Sequence, residues 1–433
     1  MSRPKRRPTL PSTLLLFLST SSLPSSTLAQ EEPALTTDSL CDCYLLNTTN
    51  GDGAVGTYFK HHRFFDFRNL PQHAGVPSVL KDPLSTTNAR ATSSYFTSEE
   101  FSNFWMLARW NNSGGPDGEV TRNDATVTMV NSPNNVYIEA NTEAGAVPTE
   151  ARTWLTLRTQ RLEKFQTAAE IESRSNKFKF LSIRMHARTV GAPGAITAMF
   201  TYRHSDTLSQ VQESDLEIRT SDPRNQLHYT NQPAYTSAGE LVPGATLNAT
   251  MPRGKDWTAW STHRMDWVPG ETAWFVDGVE TGRLSFQAPR DESTVILNAW
   301  SDGGGWTGNM SLFDAAYLQV QWVEVVFNST DFDEEGLEDD EEEEKNNKTT
   351  GKVKRWWRGG KNKWKREEEG EEERGCKRVC SIDETPELGR PVLLWEATES
   401  AAPAARRIEG VTAWVPRVMV LGMVLVLTGL VGW

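Results

Sequence analysis

With 433 residues the chain is long enough for two or three domains, and 57 Asp and Glu against 45 Lys and Arg give a net charge of −12. Half of that charge lies in one segment, residues 331–375, and the four cysteines fall in two pairs on either side of the central region. Several independent globular units are therefore not expected. The pattern is that of one large β domain with appendages.

The first element is a leader. Arg3, Lys5, Arg6 and Arg7 precede an apolar run at 14–18, and Thr27-Leu28-Ala29 offers a small-residue cleavage site, so residues 1–29 read as a secretory signal peptide. Secretion decides how Cys41, Cys43, Cys376 and Cys380 are read: disulfides are favoured over zinc in an oxidising compartment. Bonding within Cys41-Asp42-Cys43 would be strained. Two bridges from the N-terminal to the C-terminal pair are expected, with the pairing open. Sequons at Asn47, Asn111, Asn248, Asn309, Asn328 and Asn347 agree with passage through the secretory pathway.

Residues 98–106 look more helical than extended, and 150–164 carry no decisive period. The runs 178–189 and 195–202 read as strands separated by Gly191-Ala192-Pro193-Gly194, which is turn chemistry. Next comes Gln212-Glu213-Ser214-Asp215-Leu216-Glu217-Ile218-Arg219. As a strand it projects Glu213, Asp215 and Glu217 from one face and turns Leu216 and Ile218 toward a core. Three adjacent acids raise one another's pKa and cost free energy. Chemistry that needs one carboxylate ionised and another protonated makes use of that conflict. Four residues separate the Cα atoms of Glu213 and Glu217 by roughly 13 Å, and inward-leaning side chains bring the carboxyl groups to about 5 Å, the spacing of a retaining glycosidase.

The run 227–231 follows as a strand. A period-2 reading puts Tyr229 and Asn231 on one face as candidate partners of a sugar hydroxyl, with His228 opposite as a packed or surface residue. Pro269-Gly270, between the segments 263–268 and 273–278, is turn chemistry. Asn298 and Trp300 fall in the segment 297–303, and Ser301-Asp302-Gly303-Gly304-Gly305 reads as a flexible loop beside a cleft, bracketed by Trp300 and Trp306. The flat face of Trp suits the CH face of a pyranose, and this chain has 16 of them. Residues 318–327 read as a closing strand.

Residues 331–375 hold 17 acidic and 11 basic side chains in blocks, the composition of a disordered, solvated polyampholyte. Its basic aromatic centre at 352–358 is matched to the flanking acids. Secretion leaves no role for nucleic acid. Residues 376–417 read as a Cys-containing tail and spacer, and 418–433 as an uncharged apolar tail. At about 16 residues this tail is short for a spanning helix and fits a removable glycosylphosphatidylinositol signal, with a membrane anchor as the alternative.

The Glu-x-Asp-x-Glu strand, the Pro-Gly hairpin, the Asn298-Ala299-Trp300 segment and the 318–327 strand together resemble glycoside hydrolase family 16, over about residues 59–328. The resemblance implies an all-β, concanavalin A-like jelly-roll sandwich of two antiparallel sheets over 41–330, in a secreted or surface-anchored member of fungal type. It implies Glu213 as nucleophile, Asp215 as its assistant and Glu217 as acid/base, with Asn298 and Trp300 at the substrate; Trp306, Tyr229 and Asn231 join them as substrate-binding candidates by position in the chain. The implied reaction is double displacement on β-glucan-type polysaccharide by a monomer at the cell surface or wall, without cofactor or metal. A transglycosidase and a non-catalytic glucan-binding module are the alternatives.

Overall fold

The computed structural model describes residues 34–47, 56–113, 124–143, 151–330, 376–383 and 385–397. The leader at 1–29, the charged segment at 331–375, the apolar tail at 418–433 and the sequon at Asn347 lie outside the described residues. The fold is mostly β, with two antiparallel sheets packed face to face. One runs Thr246–Thr250, Gln226–Gln232, Gln212–Arg219, Ile196–Arg203, Thr294–Trp300, Gln166–Ser173. The other runs Thr153–Arg161, Ala315–Ser329, Phe178–Gly191, Ser261–Val268, Glu271–Val276, Val279–Leu284. They meet where Gln160 pairs with Thr167 and Arg161 with Gln166.

Alternation explains the layering. Leu216 and Ile218 of the acidic strand point between the sheets and join Trp267, Trp274, Phe178 and Phe327 in one core, each at most 1 % exposed. Burying a side chain of this size contributes about 1.5–3 kcal/mol, so the inward phase of each strand is strongly set. The closing strand is Ala315–Ser329, which pairs with Phe178–Gly191 along one edge and with Thr153–Arg161 and then His61–Asp66 along the other. Gly270 at φ +84° turns the hairpin between Ser261–Val268 and Glu271–Val276, where a side chain would be strained. Residues 150–164 resolve into the strand Thr153–Arg161. The run 98–106 holds one short helix, Glu99–Ser102, and then turns extended as Trp105–Leu107, which pairs with Gln166–Ser173.

The C-terminal pair of cysteines does not sit in a mere spacer. Arg378–Ser381 and Val392–Glu396 are strands of a third, five-stranded sheet, with Ala34–Leu35, Cys43–Leu46 and Thr57–Phe59. Disulfides Cys41–Cys380 and Cys43–Cys376 lock it across 339 and 333 residues of sequence. Period-2 signals this short escape notice when the strands are completed by partners so far away. Tyr44, Leu46, Phe59 and Ile382 of this sheet cover Val268 and Val326 on the outer face of the sandwich.

A buried ion network sits beneath the same sheet. His62, 1 % exposed, lies 2.8 Å from Asp38 Oδ1 and 3.0 Å from Glu324 Oε1, while Arg184 donates to Glu324 Oε2 at 2.8 Å and to the Ile382 carbonyl at 2.6 Å. Burial alone would lower the His62 pKa, but hydrogen bonds and charge from Asp38 and Glu324 hold it above the usual histidine value. A raised folded pKa contributes stability that is complete below the unfolded value of about 6.5 and is lost as pH rises through the folded one. His62→Ala will therefore cost about 3 kcal/mol at pH 6, measured by urea denaturation, and clearly less at pH 9. An equal cost at both pH values would refute the ion pairing.

Candidate active site

In an antiparallel ladder, residues directly opposite one another share a face. Glu217 stands opposite Ala198 on one side and His228 on the other; beyond Ala198 come Asn298 and Glu170, and beyond His228 comes Asn248. Asp215 stands in the next row, between Phe200 and Thr230, and Glu213 in the row after that, between Tyr202 and Gln232. All of these line a cleft of about 1130 Å³ that crosses the sheet. The three acids of the Glu-x-Asp-x-Glu strand therefore lie together on its floor.

Their environments differ in ways that matter chemically. Asp215 is 3 % exposed, and burial first, then the charges of Glu213 and Glu217, pushes its carboxyl well above the usual range. It hydrogen-bonds Glu213 and accepts from Gln232 Nε2 at 3.3 Å. Glu217 is pushed up to about 7, by burial and then by the Glu213 charge, with the Trp306 hydrogen bond and Arg219 opposing. Near neutral pH the strand thus holds groups in different protonation states, although all are carboxyls.

Trp300, Trp306 and Asn298 line the cleft. The Trp306 indole N–H donates to Glu217 Oε2 at 3.1 Å, and Asn298 Nδ2 donates to Glu170 Oε2 at 3.3 Å. The glycine-rich loop between the two tryptophans is pinned rather than flexible. Backbone N–H groups of Thr126 and Val127 donate to the Asp302 carbonyl at 2.9 and 3.0 Å, and Gly305 N–H donates to Asp124 Oδ2 at 2.9 Å. A Cβ at Gly304 would sit 2.9 Å from that Asp124 carboxylate, which would have to shift to admit it.

Tyr229 and Asn231 are not in the cleft, which corrects the expectation from period-2 phase. The register pairs Leu216 with Tyr229 and Ser214 with Asn231, so both point into the sandwich and both are 0 % exposed. Tyr229 stacks on Trp274 at 4.7 Å and bonds its hydroxyl to Thr281 at 2.6 Å; Asn231 accepts from Ser214 Oγ at 2.6 Å and donates to the Phe286 carbonyl at 3.0 Å. Their polar tips are satisfied inside the core, which a sequence pattern does not reveal. His228 takes the cleft position instead, beside Glu217, with Nε2 2.6 Å from Asp222 Oδ2.

Residues 123–324 match the family model described as glycosyl hydrolases family 16. Those residues, a little under half of the chain, correspond to a glycoside hydrolase family 16 domain. Among curated proteins it is 25% identical over 139 residues to a Paenibacillus polymyxa protein named beta-glucanase, covering 31% of this chain and 54% of that one. A beta-glucanase of Bacillus subtilis is 25% identical over 136 residues, covering 30% and 51%. The chain thus spans about half the length of the curated relatives it matches. Among solved structures, an endo-1,3-beta-glucanase from Streptomyces sioyaensis aligns over 61% of this chain and 95% of its own, with 17% identity and a TM-score of 0.42. A beta-1,3-1,4-glucanase (lichenase) derived from a mouse hindgut metagenome aligns over 62% and 99%, with 17% identity and a TM-score of 0.39.

Other cleft residues of this family 16 domain escaped the sequence reading. Glu170 and Glu172 repeat the Glu-x-Glu alternation on Gln166–Ser173 and line the same cleft. Burial, followed by the Glu172 charge, pushes Glu170 up to about 8 even though Trp110 donates to it at 2.6 Å. The alternation was visible as a signal, but two acids without a third carry little weight alone. Among the described residues, no group of three or more His, Cys, Asp and Glu side chains is arranged to hold a metal ion.

Proposed function

We propose that this chain is a retaining glycosidase that cleaves β-glucan-type polysaccharide by double displacement. One observation carries the reading: three carboxyl groups share one strand face on a cleft floor, with Glu217 poised near 7 beside Glu213. The family 16 match and the beta-glucanase relatives support the substrate class. Glu213 attacks the anomeric carbon while the bond to the leaving oxygen breaks, and the proton on Glu217 passes to that oxygen. Asp215 retains its own proton and donates it in a hydrogen bond to Glu213, which favours the ionised nucleophile.

The second step follows from the same electrostatics. The negative charge of Glu213 helps hold the proton on Glu217. Once Glu213 is esterified to the sugar that charge is gone, so the pKa of Glu217 falls and its carboxylate becomes the base for incoming water. Water then attacks the anomeric carbon, the ester bond breaks, and Glu213 leaves as the carboxylate. A second glucan chain in place of water would complete a transfer by the same route.

Two disulfides and the exposed sequon residues Asn47, Asn111 and Asn309 support passage through an oxidising secretory compartment. In this proposal the protein acts in cell-wall or extracellular carbohydrate metabolism as a surface-anchored monomer. The test is proton NMR of the first product formed from laminarin or mixed-linkage glucan, before mutarotation. The β anomer is expected first. The α anomer would contradict a retaining enzyme, and release of no reducing end and no transfer product would favour a binding module.

A further inference from the structure

Trp306 is held differently from Trp300. Besides its N–H bond to Glu217, its ring lies 4.4 Å from the Arg219 guanidinium carbon and meets His228 edge-on at 5.2 Å and 74°. Its backbone carbonyl accepts from Arg219 Nε at 2.9 Å. Asp222 closes the circle, 2.6 Å from His228 Nε2 and 3.6 Å from Arg219 Nη1. An indole with a cation over its ring and its N–H committed to a carboxyl oxygen is fixed in place by the protein.

We infer that Trp306 is a positioning residue for Glu217, and that its indole N–H selects which carboxyl oxygen carries the acid proton. The inference rests on the reading of Glu217 as acid/base and deepens it. A neutral carboxyl group has one hydroxyl and one carbonyl oxygen, and the carbonyl oxygen is the better acceptor. With Oε2 accepting from Trp306, the proton stands on Oε1. After the proton has left, the same N–H stabilises the carboxylate. The other groups facing Glu217 are Glu213, Asp215 and Arg219 on its own strand and His228 on the neighbouring one; Ala198, across the other neighbour, brings no charge. Trp306 is thus a donor to Glu217 that does not itself titrate.

Trp306→Phe keeps a ring for Arg219 and His228 and deletes the N–H. Carbon-13 NMR titration of the Glu217 carboxyl, assigned by its loss in Glu217→Gln, should show the midpoint move up by about one pH unit, because a donor to the charged form has been removed. On unactivated β-glucan, kcat should fall roughly tenfold with KM nearly unchanged, while the first-turnover burst of dinitrophenolate from a dinitrophenyl glycoside, whose departure needs no proton, should be slowed far less. Trp300→Phe should leave the titration where it was. In the wild type, which needs no variant to fold, the Trp306 indole resonance should titrate with the Glu217 midpoint near 7. An unmoved Glu217 midpoint in Trp306→Phe, a non-titrating indole, or a tenfold rise in KM with kcat retained would overturn the assignment. A wild type that cleaves and transfers no glucan would instead remove the glycosidase reading, while the titrations would still decide whether the indole governs Glu217.

Discussion

Glu213→Gln will lower kcat on β-glucan by roughly 10⁴- to 10⁶-fold, the loss that follows removal of a covalent nucleophile. The fold will survive. An amide in place of the carboxylate relieves repulsion within the acidic strand, and Asp215 and Glu217, which burial first and then the Glu213 charge hold above their ordinary values, will both titrate lower. Thermal melting is expected to be unchanged or higher than wild type. The wild-type strand has the opposite character: between the ordinary glutamate value of 4.5 and about 7, Glu217 keeps a proton that the unfolded chain has already lost. The folded form binds more protons in that window, so its contribution to stability falls as pH rises. A variant with glucan cleavage intact would remove Glu213 from the chemistry, and one that failed to melt cooperatively would show that the carboxylate has a structural role.

Glu217→Gln will separate the two steps. Loss of a general acid costs roughly 10²- to 10⁴-fold on substrates with a poor leaving group, and little of the first step on those with a good one. With a dinitrophenyl glycoside, the glycosyl-enzyme should form and then persist, because no base activates water. Added azide, which needs no base, should restore turnover and release the β-glycosyl azide. The pH profile gives an independent sign. Wild-type activity requires the protonated form, so it is lost as pH rises through about 7, and this alkaline limb should vanish in the variant. No azide product, or an alkaline limb that remains, would assign the acid/base role elsewhere.

Much of this site can be read from the chain because strands have a two-residue period and one strand carries all three acids. Glu213, Asp215 and Glu217 share a face by backbone geometry alone. Asn298 and Trp300 could be placed at the cleft through the resembled Asn-x-Trp segment, and Trp306 because it closes the glycine-rich loop that follows; that loop is not flexible as its composition suggests, since Asp124, Thr126 and Val127 pin it. Phase within the next strand could not be read the same way. It depends on which residue of 226–232 pairs with Glu217, and the answer, His228, is set by the hairpin and by burial of Leu227 and Tyr229. Tyr229 and Asn231 carry polar groups that suggest a ligand, yet those groups find partners inside the sandwich.

Long-range pairing hid the remainder. Arg378–Ser381 and Val392–Glu396 become strands because Cys43–Leu46 and Ala34–Leu35 lie beside them, more than 300 residues away in sequence. The cysteines alone announced that link, and both bridges observed run between the N-terminal and C-terminal pairs. Glu170 is likewise a product of assembly. Its carboxyl is raised by burial and by the Glu172 charge, against the hydrogen bonds of Trp110 and Asn298, and these neighbours arrive from three different strands or loops.

The covalent intermediate offers the most direct measurement. The enzyme should be incubated with a 2-deoxy-2-fluoro-β-laminaribiosyl fluoride, digested, and its peptides read by tandem mass spectrometry. The account predicts one added fluoroglycosyl group, carried by Glu213. A label on Glu217 or on a residue outside the cleft, or a protein that hydrolyses glucan yet never acquires the label, would contradict it.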